Sequence, residues 1–186
     1  MPWLRIFPRA ANAVTAASVR PTPEPPAIRS RSHAPSSSTA AIDPVSRPAA
    51  VTALAAHGKI LAHGIALQPG RTSAVGRLGK TPVVVLPGAP DQALAAWWTL
   101  ALPVLDRLSG RRQRRTVNLP LARKIASGVG IAEIVLLERK QDMWATLAVG
   151  ELSLEAIARA EAWLVVSGGS EGFAAGSPVD AYMLRD

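Results

Sequence analysis

Two turns built on Pro-Gly pairs carry the residues of this chain whose types and spacing could do chemistry. The first turn follows a strand-like stretch and consists of Pro69, Gly70, Arg71 and Thr72. The second turn stands between a β-branched run and a helical pattern and consists of Pro87, Gly88, Ala89, Pro90 and Asp91. Both turns are predicted to lie at strand ends, where open α/β sheets bind their ligands.

An anion is the ligand that these residue types suit. The start of a helix offers backbone amides without an intrahelical partner, and such amides suit a phosphate. Gly88 lets the backbone approach a ligand closely, and the Arg71 guanidinium can hold a phosphate through two parallel hydrogen bonds. Because turns between a strand and a helix are also common as plain connections, the residues alone leave both interpretations open.

Composition disfavours several other kinds of site. The chain of 186 residues has no cysteine and three histidines, which excludes sulfur redox chemistry and Cys-ligated metals and disfavours a His-rich metal site. Neither a glycine-rich phosphate loop with lysine nor a dinucleotide fingerprint occurs. Residues 167–172 (SGGSEG) resemble a phosphate loop, but their place between predicted strands favours a hairpin loop.

An α/β unit is predicted to position the two turns. A short helix over residues 51–56 precedes a strand over residues 59–67, which ends at the first turn. A strand over residues 75–78 and a tight turn at Gly79 and Lys80 come next. Residues 83–86 (VVVL) are a β-branched run typical of a strand buried on both faces.

A helix is predicted to follow the second turn, with Asp91 as its N-cap. Leu94, Trp98 and Leu105 recur along one face, and Pro103 is expected to kink or end the helix at about residue 102. Adjacent tryptophans point about 100° apart on a helix, so core packing of Trp98 is favoured over a stacking platform.

A second unit is predicted after residue 110. Strands are expected over residues 116–119, 131–138, 144–149, 163–166 and 179–184, with one short helix over residues 153–159. This pattern is typical of a small β-barrel or sandwich. The basic run at residues 111–115 (RRQRR) has no aromatic neighbours and no nucleic-acid motif beside it, so it is interpreted as a solvated linker, and nucleic-acid binding is disfavoured.

The chain is therefore expected to have an α/β unit over residues 49–110, a β-barrel over residues 111–186 and a tail over residues 1–48. The tail holds nine of the 16 prolines and six arginines against Glu24 and Asp43, a composition typical of disorder. It supplies about half of the net charge of +8. The longest nearly apolar run, residues 93–105, falls short of the roughly 20 residues that span a bilayer, so we expect a cytoplasmic protein without membrane contact.

Three segments in tandem resemble a known family. Residues 65–72 (IALQPGRT), 74–78 (AVGRL) and 84–90 (VVLPGAP), followed by a helix, resemble the molybdopterin-binding domain of molybdopterin molybdenumtransferases of the MoeA and gephyrin type. Residues 150–161, 163–166 (WLVV) and 175–179 (AGSPV) resemble the C-terminal β-barrel domain of that family. The resemblance covers roughly residues 51–186.

The resemblance implies a transferase of molybdenum cofactor biosynthesis. Such an enzyme inserts molybdate into adenylylated molybdopterin and releases AMP, with magnesium as cofactor and molybdopterin and molybdate as substrates. By analogy, Pro69, Gly70 and Arg71 line the molybdate and phosphate side of a cleft, and residues 86–90 line the other wall. A homodimer is left open as an assembly.

Several positions depart from the family pattern. Gln68 and Arg71 replace the two usual lysines, Ala89 replaces the asparagine of the second turn, and Leu136 stands where an arginine is expected. The Gly-Gly-Ser-x-Gly-x-x-Asp element of the family is not found before residue 51. We therefore expect a divergent or truncated transferase, and the alternative is a non-catalytic molybdopterin-binding or protein-interaction module.

Overall fold

A mixed α/β fold, mostly sheet with few helices, is seen in the computed structural model, which describes residues 49–111 and 114–184. The fold class predicted from the sequence is confirmed. The tail predicted over residues 1–48 lies outside the described residues, and so do Arg112 and Gln113 of the basic run.

The first part of the chain forms a helix on a three-stranded sheet. Its elements are α1 (Ala49–His57), β1 (Lys59–His63), β2 (Leu67–Gln68), β3 (Ala74–Leu78) and β4 (Thr81–Val85). Strands β1, β3 and β4 form an antiparallel sheet in that order, with a tight turn between β3 and β4 as predicted. The strand expected over residues 59–67 is instead two strands in two sheets, because Gly64, at a φ of 68°, breaks it.

A small core joins α1 to this sheet. Val51 and Leu54 of the helix pack against Ala74 and Val85. Gly76 is needed between them, since a Cβ there would lie 2.8 Å from the Leu54 Cδ2 atom and 2.5 Å from the Lys59 carbonyl oxygen. Strand β4 is at the sheet edge and is only partly covered, so the prediction that it is buried on both faces is wrong.

The second turn is followed by a helical segment that runs past Pro103. It consists of α2 (Pro90–Ala96), a π-helical stretch (Trp97–Ala101) and α3 (Leu102–Leu108). The Leu102 N–H donates to the carbonyl of Trp97, five residues back. Proline lacks an N–H and its ring disturbs the preceding turn, so the wider π turn absorbs Pro103. Pro103 is predicted to kink or end the helix at about residue 102; the helix does not end there, so that alternative is wrong.

The second part of the chain is a curled sheet with one helix. Its elements are β5 (Thr116–Pro120), β6 (Ile125–Ala126), β7 (Ala132–Lys140), β8 (Met143–Val149), α4 (Leu154–Arg159), β9 (Ala162–Val166), β10 (Gly172–Phe173) and β11 (Pro178–Met183). The six-stranded sheet has the order β2-β7-β9-β11-β5, with β8 also paired to β7. The five longer strands and α4 lie close to their predicted positions.

The curled sheet nearly closes on itself around a buried tryptophan. Trp144 of β8 is fully buried, bridges to Leu121 and donates a hydrogen bond of 3.4 Å to the Val117 carbonyl on β5. Val135 and Val166 pack in the same core. The two ends of the sheet thus meet, as expected for a small barrel.

A third core spans the two parts of the chain. Strand β2 pairs in parallel with β7, so that Leu67 faces Ala132 and Gln68 faces Glu133. Trp98 of the π-helical stretch stacks on Trp163 of β9, with ring centroids 5.7 Å apart, and Trp163 stacks on Tyr182 at 4.9 Å. The predicted core position of Trp98 is confirmed, since it is 9% exposed. The domain boundary near residue 110 stays a prediction.

The structure also bears on the predicted hairpin loop at residues 167–172 and on the basic run. In the segment 167–172, the first five residues connect β9 to β10 and Gly172 begins β10. Because β10 pairs with β6 in a separate two-stranded sheet, the segment does not form the predicted hairpin loop. Arg114 of the basic run forms a two-pronged ion pair with Asp106, at 2.9 and 3.0 Å. No helix within residues 49–111 and 114–184 is long and apolar enough to cross a membrane.

Candidate functional site

The first turn is a tight loop held by one buried serine. Ser73 has 0% exposure, and its hydroxyl donates a hydrogen bond of 2.6 Å to the Gly70 carbonyl oxygen. The Ser73 N–H donates a second bond, of 3.0 Å, to the same oxygen. Pro69 and Gly70 are buried, whereas Arg71 and Thr72 are exposed. The turn therefore presents its cation and its hydroxyl to solvent.

Gly70 is required by the conformation of the first turn. Its φ of 122° lies in the region that favours glycine. A Cβ there would lie 3.0 Å from the Leu67 Cδ2 atom and 3.6 Å from the Gln92 carbonyl oxygen. The turn thus approaches the backbone of the helix that follows the second turn.

The second turn leads directly into that helix. Ala89 is extended at its start, no side chain caps it, and Pro90 occupies the first turn of the helix. The fixed φ of proline suits this position, and its missing N–H would have had no helical partner anyway. Asp91 lies in the first turn of the helix, so its predicted role as N-cap is wrong. Gly88 is exposed, and nothing lies within 4 Å of where its Cβ would be.

The first turn contacts Gln92, the helix residue that directly follows the second turn. The Thr72 hydroxyl donates a hydrogen bond of 3.4 Å to the Gln92 Oε1 atom, and the Gln92 carbonyl lies beside Gly70. Arg71 stands between Gly70 and Thr72 in the chain, so its backbone lies beside the start of the helix. The turn that carries the predicted cation therefore packs against the start of the helix.

Residues of the barrel lie at the base of the first turn. Glu133 pairs with Gln68 across β7 and β2, and its Oε2 atom accepts hydrogen bonds from the Ser127 hydroxyl at 2.6 Å and the Gly128 N–H at 3.2 Å. A Cβ on Gly150, whose φ is 70°, would lie 2.5 Å from Glu133 Oε1 and 3.4 Å from Gln68 Nε2. This end of the barrel therefore packs closely against Gln68, the residue that precedes the turn.

Three residues of this surface were missed from the sequence: Ser73, Gln92 and Glu133. Ser73 and Gln92 each lie one residue beyond a predicted turn, and a serine beside a turn often bonds to the backbone, so Ser73 had a local signal. Glu133 had none, because the pairing of β2 with β7 brings it to the turn from far along the chain.

Positive charge dominates the α/β part of the chain. Within residues 49–111 the acidic side chains are Asp91 and Asp106, and the basic ones are Lys59, Arg71, Arg77, Lys80, Arg107 and Arg111. Arg71 is the cation of the Pro-Gly turn at residues 69–72. Asp91 is a carboxylate near the N-terminal end of α2. Because negative charge is favoured at a helix start, Asp91 competes there with an anionic ligand.

A network of ion pairs lies elsewhere, between α4 and the end of β7. Hydrogen bonds from Lys140, at 2.7 Å, and from Arg159, at 3.0 Å, hold the pKa of the Glu138 carboxyl below its usual value. The same contact with Glu138 raises the pKa of Arg159. These residues join two elements of the barrel and contribute no group to the turns.

The described residues offer few groups for a resident metal ion. No three His, Asp or Glu side chains within residues 49–111 and 114–184 are placed to hold one. His57 and His63 are exposed.

Leu136 is fully buried in the core that both parts of the chain share. The family resemblance leads one to expect an arginine at this position. Leu136 therefore offers neither charge nor hydrogen bond to a ligand.

Comparison with known proteins places the chain beside proteins of molybdenum cofactor biosynthesis. No family model matches the chain. A Methanocaldococcus jannaschii protein named for molybdopterin biosynthesis is 25% identical over 131 residues, which are 69% of this chain. The chain spans 31%, about a third, of the length of that curated relative.

Solved structures share the fold. A molybdenum cofactor biosynthesis protein from Pyrococcus furiosus matches with a TM-score of 0.61 at 23% identity, over 68% of this chain and 46% of its own. A molybdopterin biosynthesis MoeA protein from Pyrococcus horikosii matches with a TM-score of 0.62 at 23% identity, over 73% of this chain and 34% of its own. The predicted resemblance to a C-terminal portion of the MoeA type is thus confirmed in the fold.

Proposed function

We propose that this chain acts in molybdenum cofactor biosynthesis and resembles a molybdopterin molybdenumtransferase in what it binds. The ligand is molybdopterin, held by its phosphate at the surface formed by the two turns. The reaction is the insertion of molybdate into adenylylated molybdopterin with release of AMP. It takes place in the cytoplasm. The similarity to proteins named for this pathway supports the proposal.

One observation carries the proposal: the first turn contacts Gln92, which directly follows the second turn. The turns lie at residues 69–72 and 87–91, and Gln92 contacts Gly70 and Thr72 of the first. A ligand phosphate beside the uncapped helix start would therefore lie next to the backbone of Arg71. Helix amides and a guanidinium are two independent sources of affinity for the same anion.

Each residue of the site has a separate task in this proposal. Arg71 is exposed and can form two parallel hydrogen bonds to phosphate oxygens. Gly88 leaves open space in front of the helix start, so that a phosphate can approach the amides. Asp91 lowers the affinity for anions of high charge, because it adds a negative charge at the same helix start.

Magnesium remains an expectation from the family resemblance. Asp91 is the carboxylate in the first turn of the helix, and a single carboxylate holds Mg²⁺ only together with phosphate oxygens of a ligand and water. The described residues do not form a magnesium site by themselves, so no step of the proposal depends on the ion.

The test of the proposal measures binding and turnover on the full chain. Adenylylated molybdopterin is titrated into the protein, and AMP release is followed after molybdate is added. We expect Arg71→Ala to weaken binding by about 10-fold to 100-fold, since a hydrogen bond to a charged group contributes about 1.5–3 kcal/mol. Arg77→Ala, which removes an exposed arginine of β3 outside the two turns, is the matched control and should bind as the wild type does.

A second substitution tests the sign of the charge. Asp91→Asn should strengthen binding by about 2-fold to 5-fold, because it removes a charge contribution of about 0.3–1 kcal/mol at the helix start. Equal affinity of all four proteins, or no binding by the wild type, would contradict the proposed site.

The alternative function is a non-catalytic molybdopterin-binding module. The burial of Leu136 favours it, because the barrel then lacks a charge that the family supplies at this position. The same experiment separates the two functions. Binding without AMP release supports the module, whereas molybdate-dependent AMP release supports the transferase.

A further inference from the structure

Ser73 is a fully buried polar residue, and the proposed binding site does not yet use it. It is one of two buried polar side chains among the described residues, the other being Thr99. We propose that Ser73 is a positioning residue, which holds Arg71 beside the helix start for anion binding. This inference rests on the proposed function, because the anion concerned is the one that Arg71 binds.

The geometry of the first turn gives Ser73 this role. Its hydroxyl, at 2.6 Å, and its N–H, at 3.0 Å, both donate to the carbonyl oxygen of Gly70. Arg71 and Thr72 are the two residues enclosed between these partners, and both are exposed. The hydroxyl therefore closes the turn directly beneath the residue that carries the cation.

The need for closure comes from Gly70. A glycine backbone is free to adopt many conformations, and Gly70 stands at a φ of 122° close to the backbone of Gln92. With the Ser73 hydroxyl removed, one of the two hydrogen bonds that fix the Gly70 carbonyl is lost. Arg71 then samples more positions, and affinity falls because ordering its side chain costs more entropy.

Thr99 is the matched control for Ser73, because its hydroxyl is also buried but lies outside the first turn. Its Oγ1 atom donates a hydrogen bond of 2.7 Å to the Ala95 carbonyl, four residues back in the helical segment. That bond lies within one element and borders neither turn. Thr99→Ala and Ser73→Ala therefore remove the same kind of contact, and they differ in whether the first turn depends on it.

The experiment titrates inorganic pyrophosphate into the full-length protein by calorimetry. We expect Ser73→Ala to bind about tenfold more weakly than the wild type and Thr99→Ala to bind equally well. Because Ser73 acts through Arg71, adding Ser73→Ala to Arg71→Ala should cause no further loss of affinity. Thermal unfolding of each variant confirms that the samples are folded.

The outcomes separate this inference from the proposed function. If the wild type does not bind pyrophosphate, the anion site itself fails and the inference falls with it. If the wild type binds and Ser73→Ala binds equally well, or if its effect persists in full without Arg71, the positioning role alone is overturned. Should Ser73→Ala not fold, Ser73→Cys is used, since a thiol is a weaker donor of similar size. Intermediate affinity of Ser73→Cys supports the role, and wild-type affinity overturns it.

Discussion

Gly70 and Gly88 serve the two turns in different ways, and substitution separates them. Gly70→Ala should lower the free energy of unfolding by about 1–3 kcal/mol, because a side chain at a φ of 122° is strained and meets Leu67 at 3.0 Å. Gly88→Ala should change it by less than about 0.5 kcal/mol, since nothing lies within 4 Å of its Cβ. Urea unfolding measures both values.

The Gly88 variant, although stable, should lose ligand affinity. A methyl group on Gly88 occupies the space in front of the helix start, so Gly88→Ala should weaken pyrophosphate binding while the fold stays intact. A Gly88→Ala protein that binds as the wild type does would show that the ligand does not approach this backbone.

Local chemistry explains which site residues the sequence could predict. Proline and glycine fix turns by their own dihedral preferences, so the two turns could be located without tertiary information. The capping role assigned to Asp91 was wrong because Pro90, one residue earlier, starts the helix by the same local logic. Glu133 could not be found, because its position depends on strand pairing.

At the level of elements, Trp98 joins the helical segment to the barrel. Trp98→Ala should lower the free energy of unfolding by about 3–5 kcal/mol, because it empties a buried site and removes the stack on Trp163. Trp97→Ala is the matched control, since the neighbouring ring is 38% exposed, and it should cost much less. Chemical denaturation measures both, and similar losses would contradict the packing seen here.

The ion-pair network around Glu138 should make barrel stability depend on pH. Because its pKa lies below the ordinary 4.5 in the folded protein, Glu138 stabilises the fold at neutral pH. This stabilisation is present above the unfolded pKa and is lost as the pH falls through the lower, folded pKa. Denaturation at pH 7 should therefore separate the wild type from Glu138→Gln, and the difference should shrink below about pH 4.5.

Asp142→Asn is the matched control, because it also removes one negative charge but lies outside the ion-pair network of Glu138. Asp142 pairs with Arg139 at an exposed site at 3.0 Å, so Asp142→Asn should change stability less than Glu138→Gln does at pH 7. Equal effects of the two substitutions would mean that the network adds nothing beyond a surface pair.

The strands of the barrel could be predicted well because each one has its own apolar pattern and glycine-rich boundaries. Two other elements could not. The helix continues past Pro103 because a π turn accommodates the proline, and the local sequence pattern does not predict that turn. Strand β2 (Leu67–Gln68) has two residues, too few for any period, and it forms because β7 offers it an edge.

At the scale of the whole molecule, one core belongs to both parts of the chain. Ile65, Leu67 and Trp98 lie in the same cluster as Ile134 and Trp163. A fragment of residues 51–110 would expose the first three side chains to water. We expect it to be poorly stable and prone to aggregate, with no steep cooperative transition in urea. A cooperative transition of the isolated fragment would contradict this.

The pairing of β2 with β7 also sets an order of events when the protein is made. Leu67 leaves the ribosome well before Ala132, the residue it must face, and the same holds for Trp98 and Trp163. The apolar side of the α/β segment therefore stays exposed while the barrel is being synthesised. Chaperone contact during translation should fall on this segment and end once β9 has emerged.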